Sequence, residues 1–490
     1  MTDRREAVRS NAKYLRNVRP IDPTEISEYV AGQPHPAVVR QLLREEAPDL
    51  GLIERDDGTF VPVDDEPVSP RREPVRRFPE SYATALEDLL ADRYGPTWYD
   101  GASGDLLRST IRRFKARYLE GRPVEYDDDV AAGYAIYHLP GYYAAVQYAL
   151  DDLAERGLLG RDLRVLDVGA GVGGPALGLC DYLPEDSLVE YHAVEPSAAA
   201  DVLEEVLAET GPNVHATIHR TTAEAFDPDG EYDLVLACNV LSELDDPERV
   251  LRSSLEVLAA DGSLLAMAPA DKHTSIQLRE LERAVEGESV DAATDAADAD
   301  GTGEVTVYSP AVRLWPGETP SDRGWSFDVR PDLATPDFQR RLDEAATDDE
   351  HSPGEFVNVD VQFSYSILRL DGRRRIDLDL DASRWAKMAD MEQHVTNRID
   401  LVAAKLSHSL SGDERSDRSS DANPLFKISD GSEQVDHYAV VTNETALNRP
   451  LLEADYGEVC SFESALALWN DDEGAYNLVV DEETVVDRLG

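Results

Sequence analysis

The chain has 490 residues, roughly three to four times the length of a typical single domain, so we expect two to four domains. Asp and Glu number 99 against 47 Lys and Arg, which gives a net charge of −52. This balance excludes the basic footprint of an ordinary nucleic-acid-binding domain. Hydrophobic residues make up 42% of the chain, which allows sizeable cores and excludes disorder throughout.

Lysine is rare among the cations, with 6 lysines against 41 arginines. An acidic, lysine-poor and arginine-rich chain is typical of a halophilic protein, because in molar salt the Debye length is about 3 Å and self-repulsion is screened. The alternative is an acidic protein that binds a basic partner. We favour salt adaptation because acidic residues occur from one end of the chain to the other.

Cysteines and apolar segments indicate the compartment. Cys180, Cys238 and Cys460 lie far apart and show no metal-ligand spacing, so neither a disulfide framework nor a metal site is predicted. The first residues are polar, and no stretch approaches 18 apolar residues. We therefore expect a cytoplasmic protein without a membrane segment.

The first two predicted domains are helical. Residues 1–70 show an amphipathic helix over 1–20, two short helical patterns, and a hairpin with its turn at Asp57-Gly58. This order matches a winged helix, which is either a nucleic-acid or partner-docking module or a structural appendage. A Pro-rich, charged linker at 65–76 leads into a helical domain over 71–158.

The third predicted domain, 159–372, alternates strands and helices. Short apolar strands between helices predict a parallel sheet covered on both faces, hence an α/β fold with a Rossmann-like core. An acidic, low-complexity insertion interrupts it at 286–304, and strands at 304–310 and 356–372 follow. The predicted parallel strands are 164–169, 189–195, 213–219, 232–241 and 262–269.

The fourth predicted domain, 373–490, is small and β-rich. We expect a helix at 383–396, a polar loop at 410–423, and three strands in the tail that could form a barrel.

The segment VLDVGAGVGG at 165–174 directly follows an apolar strand, and its glycines allow the backbone to approach a ligand closely. A dinucleotide site uses such a turn for a pyrophosphate at a helix N-terminus. An S-adenosylmethionine site places it beside the amino-acid and ribose portions, and D-x-G-x-G is the pattern of class I methyltransferases. The predicted cofactor contacts of the turn are Asp167, Gly169, Ala170, Gly171 and Gly173.

Three further positions support a cofactor site. Glu195 ends the second strand, where an acidic residue can accept both ribose hydroxyls; the alternative is a solvated carboxylate. Ala223 and Glu224 follow the third strand, where an adenine edge is commonly bound, although Glu224 could equally be a surface residue. Asn239 ends the fourth strand and faces the crevice at the carboxyl ends of the strands, unless it caps the following turn.

No catalytic residue is predicted. The nucleic-acid N-methylation motif [DN]-P-P-[FYW] is absent, and the fourth strand continues as CNVLSEL. Cys238 is interpreted as a small buried hydrophobe rather than a nucleophile. Methyl transfer from a sulfonium is an in-line displacement, which requires positioning above all.

The core resembles a class I S-adenosylmethionine-dependent methyltransferase. More narrowly, it is similar to the methyltransferase-like proteins associated with the mitochondrial small ribosomal subunit and their prokaryotic relatives, here of a haloarchaeal type. The resemblance covers roughly residues 100–372 and implies action on the small ribosomal subunit or its rRNA during assembly or translation. The segments that carry it are YHLPGYYAAVQYALDDL (137–153), VLDVGAGVGGPALGL (165–179) and VQFSYSILR (361–369).

One departure concerns metal. The family often carries cysteines that bind an iron–sulfur cluster before its F-S-Y strand, whereas no cysteine lies between Cys238 and Cys460 here. A cluster is therefore not expected. Arg313, Trp315, Arg323 and Trp325 occupy that segment, where they either stack on RNA or anchor a loop.

Three alternatives to an active ribosomal methyltransferase stay open. The chain could be a non-catalytic assembly factor that uses the cofactor fold as a binding module. It could methylate a small molecule. A nicotinamide dehydrogenase is more distant, although Glu195 would also suit a ribose there.

Overall fold

The computed structural model describes residues 2–290, 303–321, 324–349, 351–411 and 423–489. Most of the predicted acidic insertion, most of the second polar loop, and Arg323 lie outside the described residues. By its contacts the chain divides into two units, one comprising Met1–Leu236 with Pro331–Val361 and the other Ala237–Arg330 with Gln362–Gly490. This division does not test the four predicted domain ranges, which stay predictions.

The first unit begins with the predicted helices and hairpin. Asp22 starts the second helix by accepting a hydrogen bond from the Thr24 amide, ahead of Pro23 at the first helical position. Gly58 takes φ 79° in the hairpin turn. A buried cluster that includes Val8, Leu43 and Phe60 joins these pieces. The elements are α1 (Thr2–Leu15), α2 (Pro23–Tyr29), α3 (Pro36–Leu50), β1 (Leu52–Glu54) and β2 (Phe60–Pro62).

Three longer helices follow: α4 (Glu80–Tyr94), α5 (Gly101–Leu119) and α6 (Asp128–Ala154). Asp127 caps α6 by accepting a hydrogen bond from the Val130 amide at 2.9 Å. Most of α6 is buried, in keeping with its apolar sequence, and it packs closely against the helix that follows the glycine-rich turn.

The sheet of the first unit contains parallel strands in the order β5-β4-β3-β6. Asp167 of β3 lies opposite Ala193 of β4, so the carboxyl ends of these two strands are adjacent. The predicted parallel α/β core is therefore confirmed. Its elements are β3 (Asp162–Val168), α7 (Gly174–Tyr182), β4 (Leu188–Val194), α8 (Ala199–Leu207), β5 (Val214–His219) and β6 (Tyr232–Cys238).

The second unit starts within the last residues of β6. It continues with α9 (Pro247–Glu256), β7 (Leu258–Pro269), α10 (Lys272–Val285), β8 (Thr306–Ser309) and β9 (Asp328–Arg330). The chain passes through α11 (Asp337–Glu344) in the first unit before β10 (Val361–Arg369). Strand β10 runs antiparallel between β7 and β8 within the second unit, so a strand does lie in the predicted range 356–372.

A five-stranded barrel ends the second unit. Its order is β11-β12-β13-β15-β14, with β14 pairing back onto β11 and with β13 parallel to β15. This order, with a helix between the third and fourth strands, is that of an OB-fold. The elements are β11 (Arg398–Lys405), β12 (Leu425–Ser429), β13 (His437–Val441), α12 (Arg449–Glu453), β14 (Val459–Asn470), β15 (Ala475–Val480) and β16 (Val485–Arg488).

The predicted β-rich tail is confirmed, whereas the helix predicted at 383–396 is confirmed only in part. A 3-10 segment, Met388–His394, stands there. The Met388 amide donates to Asp430 and the Ala389 amide donates to the Ser432 hydroxyl, at 2.8 and 3.0 Å. These tertiary hydrogen bonds hold the segment against the turn after β12, in place of the bonds of a longer helix. Within the described ranges, no helix is long and apolar enough to cross a membrane.

Candidate cofactor site

The glycine-rich turn after β3 has a backbone that requires glycine. Gly169, Gly171 and Gly173 take φ values of 70°, 55° and 93°, in the left-handed region that L side chains rarely adopt. The amides of Gly169 and Ala170 both donate to the Val194 carbonyl, at 2.9 and 3.1 Å. The turn is thereby fixed to the end of the neighbouring strand β4.

The glycines of the turn have two different roles. A Cβ on Gly173 would lie 2.8 Å from the Leu203 side chain, and one on Gly174 would lie 2.7 Å from Tyr142 Cβ. These two glycines allow α8 and α6 to pack against the start of α7. A Cβ on Gly171 would meet nothing closer than the Gly169 carbonyl at 3.9 Å, so the space beside Gly171 is open to a ligand.

Glu195, one residue beyond β4, is joined to the glycine turn. Its Oε2 accepts a hydrogen bond from the Gly171 amide and its Oε1 accepts one from the Ser197 amide, both at 2.9 Å. The side chain is 7% exposed, so the interpretation as a solvated carboxylate is wrong. Each carboxylate oxygen keeps a second acceptor position, which suits a pair of ligand hydroxyls.

Asp167 lies at the end of β3 and is fully buried. Its Oδ2 accepts a hydrogen bond from Tyr191 at 2.6 Å, whereas its Oδ1 has no hydrogen-bond partner among the described residues. Burial, with a smaller contribution from the nearby Glu195 carboxylate, raises the pKa of Asp167 to about 7 despite the Tyr191 hydrogen bond. A buried carboxylate with an unused oxygen is an acceptor available for a ligand.

The other predicted contacts are less distinctive. Ala170 is buried within the turn, at 3% exposure. Ala223 and Glu224 lie in a 3-10 turn after β5, where Ala223 is half-buried and Glu224 is exposed. In the second unit, Asn239 follows β6 with φ 60°, and its amide donates to the Met267 carbonyl at 2.9 Å. Asn adopts a positive φ more readily than most residues, so Asn239 suits the turn at the end of β6.

An aromatic row on α6, which we did not predict, adjoins the turn. It consists of Tyr134, Tyr137, His138 and Tyr142, which are half-buried residues at helical spacing on a mostly buried helix. The His138 and Tyr142 rings stack with centroids 5.3 Å apart, and the Tyr134 and Tyr142 hydroxyls are 3.1 Å apart. Tyr142 also lies against Gly174. The i, i+3, i+4, i+8 spacing of these aromatic residues in the sequence could have predicted that they share one face of a helix.

The electrostatics of the row keep its histidine neutral. Phe114 and three tyrosines surround His138, and burial together with the Lys115 cation lowers the pKa of His138 to about 3. Lys115 donates to the Tyr137 hydroxyl at 2.9 Å. The imidazole is therefore uncharged at neutral pH and too weak a base to take a proton readily.

In the second unit, the segment predicted either to stack on RNA or to anchor a loop is packed into the protein. Arg313 is 6% exposed at its side chain and pairs with Glu286 at 2.6 Å. Trp315 is buried and donates to Asp430 at 2.8 Å, while Trp325 is half-buried and donates to the Ala270 carbonyl at 2.7 Å. The loop-anchoring alternative is therefore correct for the two tryptophans. Over the ranges that the structure covers, no cluster of three or more His, Cys, Asp or Glu could hold a metal ion.

Family models match three parts of the chain. Residues 166–264 match a model described as a methyltransferase domain. Residues 5–56 and 389–489 match the N-terminal and C-terminal domain models of a domain of unknown function, DUF8157. Among curated proteins, none matches the sequence.

Solved structures with similar folds include several methyltransferases. One is an S-adenosylmethionine-dependent methyltransferase from Clostridium acetobutylicum, at 14% identity over 31% of this chain and 58% of that one, with a TM-score of 0.22. The mitomycin 7-O-methyltransferase MmcR is 18% identical over 54% of this chain and 75% of that one, with a TM-score of 0.23. A possible histamine N-methyltransferase from Thermotoga maritima is 20% identical over 37% of this chain and 68% of that one, with a TM-score of 0.21. At such low TM-scores these similarities carry no argument about substrate.

The local geometry fits the cofactor that this family match implies. Asp167 has an unused buried oxygen, the space beside Gly171 is open, and Glu195 keeps free acceptor positions beside it. Residues 166–264 therefore combine a match to a methyltransferase domain with a local geometry that suits S-adenosylmethionine.

Proposed function

We propose that the protein transfers a methyl group from S-adenosylmethionine to a component of the small ribosomal subunit, either its rRNA or a ribosomal protein. The observation that carries the cofactor half of this proposal is the joining of Glu195 to the Gly171 amide at 2.9 Å. The ribosomal half rests on the resemblance of segments 137–153, 165–179 and 361–369 to the ribosome-associated methyltransferase-like family.

The cofactor, when bound, supplies an electrophilic methyl group on a sulfonium. The residues of this chain bind the cofactor and position it. Glu195 accepts the two ribose hydroxyls with its remaining lone pairs, and Gly171 allows close backbone approach. Asp167 offers its unused oxygen to a donor or cation. Its pKa near 7 means that a bound cation would favour the ionised form.

The aromatic row on α6 excludes water from the neighbourhood of the glycine turn. Tyr142 packs on Gly174, and its ring stacks with the neutral His138. In a low-dielectric setting an in-line displacement depends on alignment of the nucleophile with the methyl group. No residue is assigned as a general base, because an acceptor with a free lone pair needs none before transfer.

Calorimetric titration of S-adenosylmethionine into the wild-type protein, in molar KCl, tests the cofactor half. Glu195→Gln keeps the size of the side chain but removes its charge, and Glu205→Gln on α8 is the control because Glu205 is exposed and is not a predicted cofactor contact. We expect binding by the wild type and the control, with at least tenfold weaker binding by Glu195→Gln. A folded wild type that binds no S-adenosylmethionine contradicts the proposal.

Transfer itself is tested with radiolabelled cofactor and purified small ribosomal subunits. Label in rRNA or in one ribosomal protein supports the ribosomal half. Cofactor binding without transfer, together with co-sedimentation with the subunit, would favour the non-catalytic assembly factor. Transfer to a small metabolite alone would favour a small-molecule methyltransferase.

A further inference from the structure

The negative charge of the chain is unevenly distributed, contrary to our expectation from composition. Residues 1–122 hold 20 Lys and Arg against 22 Asp and Glu, so this first quarter is nearly neutral. Residues 123–490 hold 27 against 77, which places nearly all of the excess negative charge there. An anionic partner would therefore meet far less repulsion on the surface formed by the first 122 residues.

The cations of this first quarter are grouped. Three stretches, 4–19, 71–77 and 112–122, contain 15 of the 20, each with one acidic residue. In the first stretch, Arg5 and Arg9 are tied to the buried Glu46. The third stretch, the basic end of α5, differs because its exposed cations are largely unneutralised.

Arg113 and Arg117 are exposed on the last turns of α5. Arg113 donates to the Thr110 hydroxyl at 3.5 Å and Arg117 to the Pro123 carbonyl at 3.3 Å. Among the described residues, neither has an ion pair with a carboxylate. Arg122 pairs with Glu120 at 3.2 Å, where both side chains are more than half exposed and the pair is weak.

The basic end of α5 lies beside the candidate site. Phe114 packs against His138 of the aromatic row, with centroids 5.9 Å apart, and Lys115 donates to Tyr137. Further along, the Tyr126 carbonyl accepts a hydrogen bond from the Ala198 amide at 3.3 Å. Ala198 is three residues beyond Glu195. The segment that follows the basic end of α5 is therefore hydrogen-bonded to the loop after Glu195, the proposed ribose-binding residue.

Apolar surface accompanies the charge. Leu119 is 83% exposed and Tyr118 is 41% exposed, on the same turn as Arg117. Exposed aromatic and aliphatic side chains among arginines are the composition of surfaces that pack on bases while the cations contact phosphates.

We infer that the basic end of α5, residues 112–122, binds the phosphodiester backbone of an RNA acceptor as it enters the methyl-transfer site. This inference rests on the proposed function and names its substrate class. An RNA fits because its charge complements Arg113 and Arg117, and because an RNA held there lies beside the aromatic row and the glycine turn. A small-molecule acceptor would not need to contact this exposed surface.

The test compares two charge-matched double variants. Arg113→Glu/Arg117→Glu reverses the proposed contacts, whereas Arg55→Glu/Arg249→Glu reverses two exposed arginines at β1–β2 and α9. Binding of a fluorescein-labelled RNA hairpin from the small-subunit rRNA is followed by anisotropy over a KCl series, starting at low salt. We expect at least tenfold weaker binding by the first variant and a salt slope about two units shallower. The control variant should bind close to wild type.

Further measurements separate this inference from the proposed function. S-adenosylmethionine binding and thermal melting should be unchanged in both double variants, which excludes misfolding. Equal RNA affinity of the two variants, or preferential binding of anionic phospholipid vesicles over RNA, overturns the inference. RNA binding that depends on Arg113 and Arg117 in a protein that binds no S-adenosylmethionine would retain the RNA surface and reject the methyltransferase proposal.

Discussion

Asp167 and Asp430 are both fully buried aspartates, one at the end of β3 and the other after β12, but their hydrogen bonding is opposite. Asp430 accepts hydrogen bonds from Trp315, from the Met388 amide, and from both the amide and hydroxyl of Ser432, all at 2.7–2.8 Å. Asp167 accepts one, from Tyr191, and its Oδ1 has no partner among the described residues. A buried carboxylate that is fully bonded fixes structure, whereas one with an unused oxygen is available to a ligand.

The surroundings of the two aspartates show the same contrast. OB-fold barrels commonly bind ligands on the outward face of their second and third strands. Here Lys427 points outward from β12, between the core residues Phe426 and Ile428, yet is only 1% exposed. A Cβ on Gly324 would lie 2.3 Å from Lys427, so the chain's own segment covers this face. The glycine turn, in contrast, keeps open space beside Gly171.

The largest expected effect is on the covered barrel. Trp315→Ala removes a buried indole and one donor to Asp430, and should lower the free energy of unfolding of the second unit by about 4 kcal/mol. Urea unfolding followed by circular dichroism measures this loss. Trp469→Ala, at a residue that is 39% exposed, is the control and should cost much less. An equal cost for the two would mean that Trp315 does not anchor the segment.

The second prediction concerns pH. Because burial raises the pKa of Asp167 above its unfolded value, its contribution to stability is complete only below about pH 4 and is lost as pH rises to 7. Asp167→Asn should therefore be more stable than wild type at pH 8, by up to about 4 kcal/mol, with the difference vanishing near pH 4. Melting temperatures across this range test it. A difference independent of pH would contradict the raised pKa.

The two kinds of glycine in the turn should separate packing from binding. Gly173→Ala should destabilise the first unit by about 2 kcal/mol, because its Cβ collides with Leu203 at a positive φ. Gly171→Ala has space for its Cβ and should cost only about 1 kcal/mol from backbone strain, yet should weaken S-adenosylmethionine binding. Thermal melts and calorimetry on the same samples test both halves. If each variant lost S-adenosylmethionine affinity in proportion to its loss of stability, the two glycines would not differ in role.

The smallest predicted effect is at Glu195. The Glu195→Gln substitution should reduce S-adenosylmethionine affinity about tenfold, equivalent to about 1.4 kcal/mol, because the charged acceptor becomes a neutral amide. The melting temperature should fall modestly, because the amide oxygen can keep the Gly171 hydrogen bond only if the NH2 group faces the Ser197 amide, another donor. A large loss of stability without loss of affinity would make Glu195 a structural residue alone.

Much of the core was predictable because local patterns and tertiary packing agree there. The strands around 164–169 and 189–195 are apolar runs before turns, and the glycines at 169 and 171 are required by their own backbone angles. Predictions failed where tertiary contacts override local preference. The helix expected at 383–396 is a shorter 3-10 helix held by hydrogen bonds to Asp430 and Ser432. Strands β11 and β14, which pair with each other and with further barrel strands, were missed.

The amino-acid sequence by itself determined the parallel α/β core, the glycine turn with Asp167 and Glu195 at adjacent strand ends, and the charge of each segment. These follow from periodicity and from residue chemistry, which are local properties. Tertiary structure alone decided that Gly173 serves packing, that His138 is neutral, and that the segment holding Trp315 and Gly324 covers the barrel face. Each of these depends on which side chains, distant in sequence, come within contact distance and remove water.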